Sequence, residues 1–306
     1  MNNLLLKQHE PLSKFRIISL YFSALLVIFS LVGLFSKGLN LGLDFTGGYL
    51  TEFTTQESLT QQKMRTLLSS YLPDSFSLKS AENGSHWSVQ QADNETSLKG
   101  KTWLSDFSTQ SDLTITPLDS IYIGSQVGEE LINQGGLALI TSVIVILLYL
   151  SFRFEWRLAA GSVIALCHDV IIVLGIFAWF DIAFDLTIIA SLLAIIGYSL
   201  NDSIIVGDKI REIMKRNNQQ SIESIVNLAI KSTIVRTLIT SGTTLATILS
   251  IWFFAGESLA GFAMALFSGV LVGTLSSITI SATVPQLLGL CADYYTQKEQ
   301  ELCQLP

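Results

Sequence analysis

Six long apolar runs constrain the fold of this 306-residue chain more than any other feature. A bilayer core of about 30 Å is crossed by a helix of about 20 apolar residues, and each run is close to that length or longer. Only 14% of the residues are charged and the mean hydropathy is +0.50, values that exclude an ordinary soluble domain. The predicted spans are 17–36, 131–150, 158–180, 186–206, 238–254 and 259–290, the last ending near residue 284. The sequence therefore predicts a polytopic α-helical membrane protein with six transmembrane helices.

The distribution of basic residues predicts how these spans are oriented. Cytoplasmic loops of membrane proteins carry an excess of Lys and Arg near the ends of the spans. Here Lys and Arg lie before the first span, between the second and third, between the fourth and fifth, and after the sixth, whereas the short loops after the third and fifth spans contain none. We therefore expect residues 1–16, the loop 207–236 and the tail 291–306 to be cytoplasmic, with 131–290 forming a five-helix region.

The large polar block 37–130 separates the first two spans and is expected on the exterior, periplasmic side. A capping-box pattern at Ser58–Gln61 precedes an apolar helical stripe that stops at Pro73. Asn83-Gly84 is a strong hairpin signal. The predicted elements are a strand at 48–55, a helix ending at 72, strands at 75–81 and 86–91, a helix at 96–107 and a strand at 113–123. The order βαββαβ predicts one small exterior α+β domain of ferredoxin-like type.

The loop segment 217–235 differs from the other loops. Its apolar residues recur at helical spacing and follow two basic residues, Lys215 and Arg216. This pattern predicts an amphipathic helix at the cytoplasmic membrane surface, packed either against lipid or against another chain.

Ionisable residues inside the predicted spans are the strongest functional signal. A carboxylate at the bilayer centre costs at least about 2.5–3.5 kcal/mol, so one that is present usually serves an ion or proton pathway or is neutralised by a partner. Asp202, preceded by Asn201, lies in the fourth span, and Arg236 opens the next apolar run. His168 and Asp169 lie at the middle of the third span, where either a structural hydrogen bond or a proton relay would explain them. Arg236 is equally consistent with an anchor at the membrane boundary.

Small residues at four-residue intervals predict close helix packing. The sixth span carries Gly261, Ala265, Gly269 and Gly273, followed by Ser277 and Ser281, and the fourth span carries Ala190, Ala194, Gly197 and Asn201. These faces predict a tight bundle of helices. In one interpretation, a second subunit adds further helices to that bundle.

The sequence gives little support for a disulfide, a metal site or a ligand-binding site in the small exterior domain. Three cysteines, Cys167, Cys291 and Cys303, lie in a span or on the predicted cytoplasmic side, so no exterior disulfide is expected, and no ligands stand at metal-binding spacing. His86, Trp87 and Trp103 are better explained by packing in the small domain than by binding. We predict no cofactor, no nucleic-acid partner and no enzymatic activity.

The segment Gly42-Leu-Asp44-Phe-Thr-Gly47-Gly48 follows the first span. It resembles the signature of the SecF family, the membrane subunits of the SecD–SecF protein-export complex. The segments 152–161, 167–172, 185–191, 197–206 and 236–244 resemble the family as well. The resemblance runs from about residue 42 to 284, is dense from 124 onward and is thin within 50–120.

The resemblance implies a multi-pass protein of the bacterial inner membrane, related to the resistance-nodulation-division transporters. It implies a proton-driven subunit that helps the SecYEG translocon and SecD to pull unfolded polypeptides out on the exterior side. It also implies that Asp202 and Arg236 form a charged pair in proton conduction, completed by an aspartate from SecD. The alternatives are a proton-coupled small-solute exporter of the same superfamily and a passive translocon assembly scaffold.

Overall fold

Six helices long and apolar enough to cross a membrane dominate the computed structural model, which describes residues 14–72, 76–81, 84–91, 102–216, 220–255 and 259–291. These helices are α1 (Lys14–Lys37), α5 (Ser125–Arg153), α6 (Trp156–Phe180), α7 (Leu186–Arg216), α8 (Ile222–Phe254) and α9 (Ala260–Leu287). The prediction of six spans is confirmed. Several helices extend beyond the predicted runs, because many polar residues that lie outside the apolar core are also good helix formers.

The core of the bundle consists of α6, α7 and α9. About half or more of the apolar part of each of these helices is buried, whereas α1, α5 and α8 are mostly exposed along their apolar faces. Helix α9 packs on α6, α7 and α8, and α1 packs mainly on α6. The exposed faces of the outer helices carry large apolar side chains, which suits contact with lipid or with another membrane protein.

A helix is present within 217–235 from residue 222 onward, but the prediction that its apolar face packs against lipid or another chain is wrong. Residues 222–254 form one continuous helix, which begins at the cap Ser221, whose side chain accepts a hydrogen bond from the Ser224 amide. The first turns face inward: Ile225, Val226 and Ala229 are fully buried in a cluster with residues of α7. The apolar stripe is therefore covered by the chain itself, neither by lipid nor by another chain.

A four-stranded antiparallel sheet forms the small α+β domain between α1 and α5. Its strands are β1 (Gly48–Thr55), β2 (Phe76–Ala81), β3 (His86–Gln91) and β4 (Ile115–Ile123), in the spatial order β2-β3-β1-β4. The short helix α2 (Leu43–Thr46) precedes β1. Helices α3 (Gln61–Ser69) and α4 (Thr102–Ser111) follow β1 and β3, so the chain order from β1 onward is βαββαβ. This order and these strand directions are those of the split βαβ arrangement, as predicted.

The core of this domain lies between the sheet and the two helices. Trp87 is fully buried and donates from Nε1 to Thr55 Oγ1 at 3.1 Å, and Trp103 is nearly buried beside Phe53. The two tryptophans thus serve packing, as the sequence indicated. The predicted capping box is wrong: α3 begins after Thr60 with no side-chain cap, and Gln61 donates to the Leu78 carbonyl instead. Residues 96–101, Asn83 and Pro73 lie outside the described residues.

Candidate functional site

Asp202 occupies the buried side of α7. Its side chain is only 2% exposed, and in the part of the chain that the structure describes Oδ2 has no hydrogen-bond partner. The hydroxyls of Ser203 and Thr237 are also buried without a described partner. Buried polar groups in proteins are nearly always satisfied, so these three side chains lack hydrogen bonds that a buried polar group normally makes. A carboxylate held in this way gains most from a proton, a water molecule or a group on another subunit.

Arg236 lies on α8 within electrostatic range of Asp202. Among the described residues, no nitrogen of Arg236 comes within 4 Å of a carboxylate oxygen, and the side chain is exposed. Asp202 and Arg236, which the sequence analysis proposed as a charged pair, therefore interact electrostatically without a direct ion pair. Such an arrangement leaves Asp202 free to change its protonation state without first breaking a salt bridge.

His168 and Asp169 form a second polar centre, between α6, α7 and α9. His168 Nδ1 lies 2.9 Å from Asp169 Oδ1, and Oδ2 accepts hydrogen bonds from Ser199 Oγ at 2.5 Å and Ser276 Oγ at 2.9 Å. Asp169 is 1% exposed, so three donors replace the water it has lost. The sequence did not single out Ser199 and Ser276. The sequence feature that could have identified them is their position as small polar residues next to the small-residue stripes of α7 and α9.

The two polar centres are linked along α7. Ser199 and Asp202 stand three residues apart on this helix, a spacing that makes their side chains neighbours. Ser199 itself bonds Asp169. Asp202 thus lies one helical turn from the hydrogen-bonded group of Ser199, Asp169 and His168, and no described hydrogen bond joins it to that group. His168 Nε2 is likewise buried without a described partner.

The small-residue stripe of α9 packs inside the bundle. A methyl group added at Gly269 would lie 2.4 Å from Ile195 Cδ1, and one added at Gly273 would lie 3.2 Å from the Ser199 side chain. Ala265 is fully buried, and a methyl group added at Gly261 would lie 3.4 Å from Ile188 Cδ1. Only the smallest side chains let α9 approach α7 this closely.

The stripe of α7 faces away from the chain. Ala190, Ala194, Gly197 and Asn201 are all exposed, and a methyl group at Gly197 would meet nothing within 4 Å. Gly197 is therefore not a packing position within this chain. The open stripe ends at Asn201, the residue before the buried Asp202.

The glycine-rich segment after α1 contacts the loop between α6 and α7. Gly42 donates to the Phe184 carbonyl at 2.7 Å, and the Leu186 amide donates to Asp44 Oδ2 at 3.0 Å. The packing at Gly42 is tight, because a methyl group there would lie 3.1 Å from Asp185 Cβ and would require its neighbours to shift. Gly47 and Gly48 have φ values of +68° and +134°, so they permit the sharp entry into β1.

Asp185 caps the start of α7 and also contacts the small domain. Its Oδ1 accepts from the amides of Thr187 and Ile188, and its Oδ2 lies 3.7 Å from Lys79 Nζ on β2. Together with Asp44, it places two carboxylates at the N-terminus of the helix that carries Asp202. The small domain and the membrane bundle are thereby joined at this helix end.

No group of three or more His, Cys, Asp or Glu side chains able to hold a metal occurs among the described residues. Cys167 is exposed on α6 and Cys291 is partly buried, whereas Cys303 lies outside the described ranges. No described residue therefore provides an evident metal centre.

Comparisons with known proteins agree on one family. Residues 105–290 match the family model described as protein export membrane protein SecD/SecF, C-terminal, and residues 32–58 match the SecD/SecF GG motif. The protein translocase subunit SecF of Escherichia coli O157:H7 is 39% identical over 285 residues, which cover 91% of this chain and 88% of the relative. The corresponding Pseudomonas aeruginosa subunit is 38% identical and covers 88% of each chain.

Solved structures give the same result. The crystal structure of SecDF, a translocon-associated membrane protein from Thermus thermophilus, matches with a TM-score of 0.76 at 33% identity and covers 90% of this chain. A SecDF crystal structure in a super-membrane-facing form matches with a TM-score of 0.69 at 31% identity. This chain spans 38% and 40% of those two longer chains, respectively.

Proposed function

This chain belongs to the SecF family of protein translocase subunits, and we propose that it uses the proton-motive force, with a SecD-type partner, to promote polypeptide export. The observation that carries the proposal is the under-satisfied carboxylate of Asp202 at the centre of α7. Protonating it removes a buried charge near Arg236 and changes the relative stability of alternative helix packings. Each charge that crosses 100 mV supplies about 2.3 kcal/mol, so a sizeable motion requires several protons.

The proposed route from the membrane to the exterior domain runs through α7. Asp202 lies in this helix, and the N-terminus of the same helix is held by Asp44, Asp185 and, through Asp185, Lys79 of the sheet domain. A small shift of α7 is therefore transmitted directly to the domain that would handle the exported chain.

A SecD-type subunit is the proposed partner on the open face of α7. That face combines small residues with the polar Asn201, a composition suited to close approach by another transmembrane helix. The partner would cover Asn201, the residue before the buried Asp202, and supply a further acidic group. SecYEG and an unfolded polypeptide are the remaining proposed partners.

The proposed location is the bacterial inner membrane with both termini cytoplasmic. A membrane-impermeant thiol reagent tests this orientation on cysteines introduced at Ser85 in the sheet domain and at Gln219. We expect labelling from outside the cell at Ser85 only. Labelling of Gln219 in intact cells would overturn the orientation.

Co-purification and reconstitution test the proposed function. We expect a SecD-type protein to co-purify with the chain in mild detergent. Vesicles carrying both proteins and the translocon should then export a polypeptide faster with a proton gradient than without one. A lone chain that binds small solutes would favour the exporter, and export with no gradient dependence would favour the scaffold.

A further inference from the structure

We propose that a cavity between α1, α8 and α9 binds one anionic phospholipid, with its headgroup phosphate on Lys231 and one acyl chain along the apolar wall. The cavity measures about 270 Å³. Its lining comprises Phe15 and Arg16 of α1, Asn227, Ile230, Lys231 and Ile234 of α8, and Ile278 of α9.

The cavity exists because α1 and α8 diverge. Helix α1 packs mainly on α6, and α8 packs on α7 and α9, so the gap between α1 and α8 is left with α9 behind it. The two helices are bridged by an ion pair of 2.5 Å between Arg16 Nη2 and Glu223 Oε1. The four α8 residues of the lining recur at helical spacing and form one face toward the gap.

The position of the cavity suits a lipid headgroup. It lies where α1 begins, since Phe15 and Arg16 follow the exposed Lys14 and precede the apolar span. This is the level of the membrane–water boundary, where apolar walls and a polar rim occur together. The orientation proposed above decides which leaflet of the membrane supplies the lipid. The site itself does not depend on that orientation.

The charges of the lining favour an anion. Glu223, the nearby acid, is neutralised by Arg16 and accepts further hydrogen bonds from Gln286 and Asn227. Lys231 is exposed and has no carboxylate partner among the described residues. Because Arg16 and Glu223 neutralise each other, Lys231 leaves the lining with one net positive charge. An anionic lipid offsets that charge. Basic pockets between transmembrane helices are a known mode of recognition for such headgroups.

The apolar part of the lining distinguishes a lipid from a free anion. Ile230, Ile234 and Ile278 form the wall, and Phe15, 69% exposed, flanks the opening. A phosphate ion alone would leave this surface unused, whereas an acyl chain covers it. The combination of one cation and an apolar wall therefore selects a molecule with both a charged and an aliphatic part.

Native mass spectrometry of the full chain in mild detergent, titrated with phosphatidylglycerol or phosphatidylcholine, tests the site. We expect preferential retention of one phosphatidylglycerol. Lys231→Gln should weaken that first binding event about fivefold, and Lys231→Arg should preserve it. Lys63→Gln, which removes an exposed charge in the sheet domain, is the matched control and should change nothing.

Equal retention of the two lipids, or unchanged binding in Lys231→Gln, would overturn the proposal. Displacement of the lipid by millimolar inorganic phosphate would also overturn it, because that result would identify a simple anion site. The thermal unfolding midpoint of each variant is measured alongside. Lys231 is exposed, so Lys231→Gln should unfold at the same temperature as the parent protein.

Discussion

Asp169 and Asp202 are both buried in the membrane bundle, yet their surroundings differ. Asp169 accepts hydrogen bonds from His168, Ser199 and Ser276 on three helices, whereas Asp202 has no described hydrogen bond and an orphaned oxygen. A fully satisfied carboxylate fixes the positions of the helices that supply its donors. An unsatisfied one is costly when charged and gains from a proton. The difference indicates that Asp169 organises the bundle and that Asp202 is the better candidate to titrate.

The largest expected effect on stability comes from removing the satisfied aspartate. Asp169→Ala leaves His168, Ser199 and Ser276 without their acceptor, which should cost about 3–5 kcal/mol and lower the yield of folded protein sharply. Asp202→Ala should change the free energy of unfolding by less than about 1 kcal/mol, because it removes no described hydrogen bond. Thermal unfolding in detergent measures both. Equal destabilisation would remove the distinction between the two sites.

The next largest loss of stability is expected from substitutions that disturb helix packing around these aspartates. Gly269→Leu and Gly273→Leu should cost about 1–3 kcal/mol, because the added side chains collide with Ile195 and with Ser199. Gly197→Leu, on the open stripe of α7, should leave unfolding unchanged and weaken co-purification with the SecD-type partner. Leu271→Ile, at a site 47% exposed, is the silent control.

If Gly269→Leu and Gly273→Leu left both the unfolding midpoint and the yield of complex intact, the inward packing of the α9 stripe would be refuted. Unchanged association in Gly197→Leu would place the partner elsewhere.

A smaller effect is expected from removing one donor of Asp169. Ser276→Ala should cost about 1.5 kcal/mol, since a hydrogen bond to a charged group is lost while His168 and Ser199 still donate. Combining Ser276→Ala with Ser199→Ala should cost more than the sum of the two single changes, because the carboxylate is then left with one donor. Strict additivity in thermal unfolding would argue against a shared network.

The smallest effect on stability is expected at Arg236, where function should change instead. The side chain is exposed and makes no described ion pair, so neither Arg236→Lys nor Arg236→Met should alter the unfolding midpoint. Arg236→Lys keeps the charge without the planar fork and should retain part of the gradient-dependent export, and Arg236→Met should retain less. Full activity in Arg236→Met would reduce this residue to a membrane anchor.

Much of the fold follows from local patterns in the sequence. Strands β1 and β3 match their predicted bounds, because alternation and the hairpin fix them locally. The ends of α8 could not be predicted in this way. Ile225, Val226 and Ala229 have the spacing of a surface helix, and only the tertiary position of α7 decides what covers them. The same holds for the α7 and α9 stripes, which look alike in sequence and face opposite environments.

The candidate site was predictable in part. Asp202, His168 and Asp169 stand out because ionisable groups are rare in apolar spans. Their hydrogen-bond partners do not stand out: Ser199 and Ser276 resemble ordinary packing residues until three helices are brought together. The spacing of residues in the sequence likewise could not predict the network of Arg16, Glu223 and Gln286, because its members lie up to 270 positions apart in the chain.

Gradient-dependent export by vesicles carrying Asp202→Asn distinguishes a proton-carrying Asp202 from a purely structural one. Asparagine keeps the size and the hydrogen-bonding capacity of the side chain but cannot take up the proton, and a neutral amide is cheaper to bury. We expect the variant to assemble in normal yield with its partner and to lose the acceleration of export by a proton gradient. Normal gradient dependence in correctly assembled Asp202→Asn would show that Asp202 carries no proton and would favour the passive scaffold.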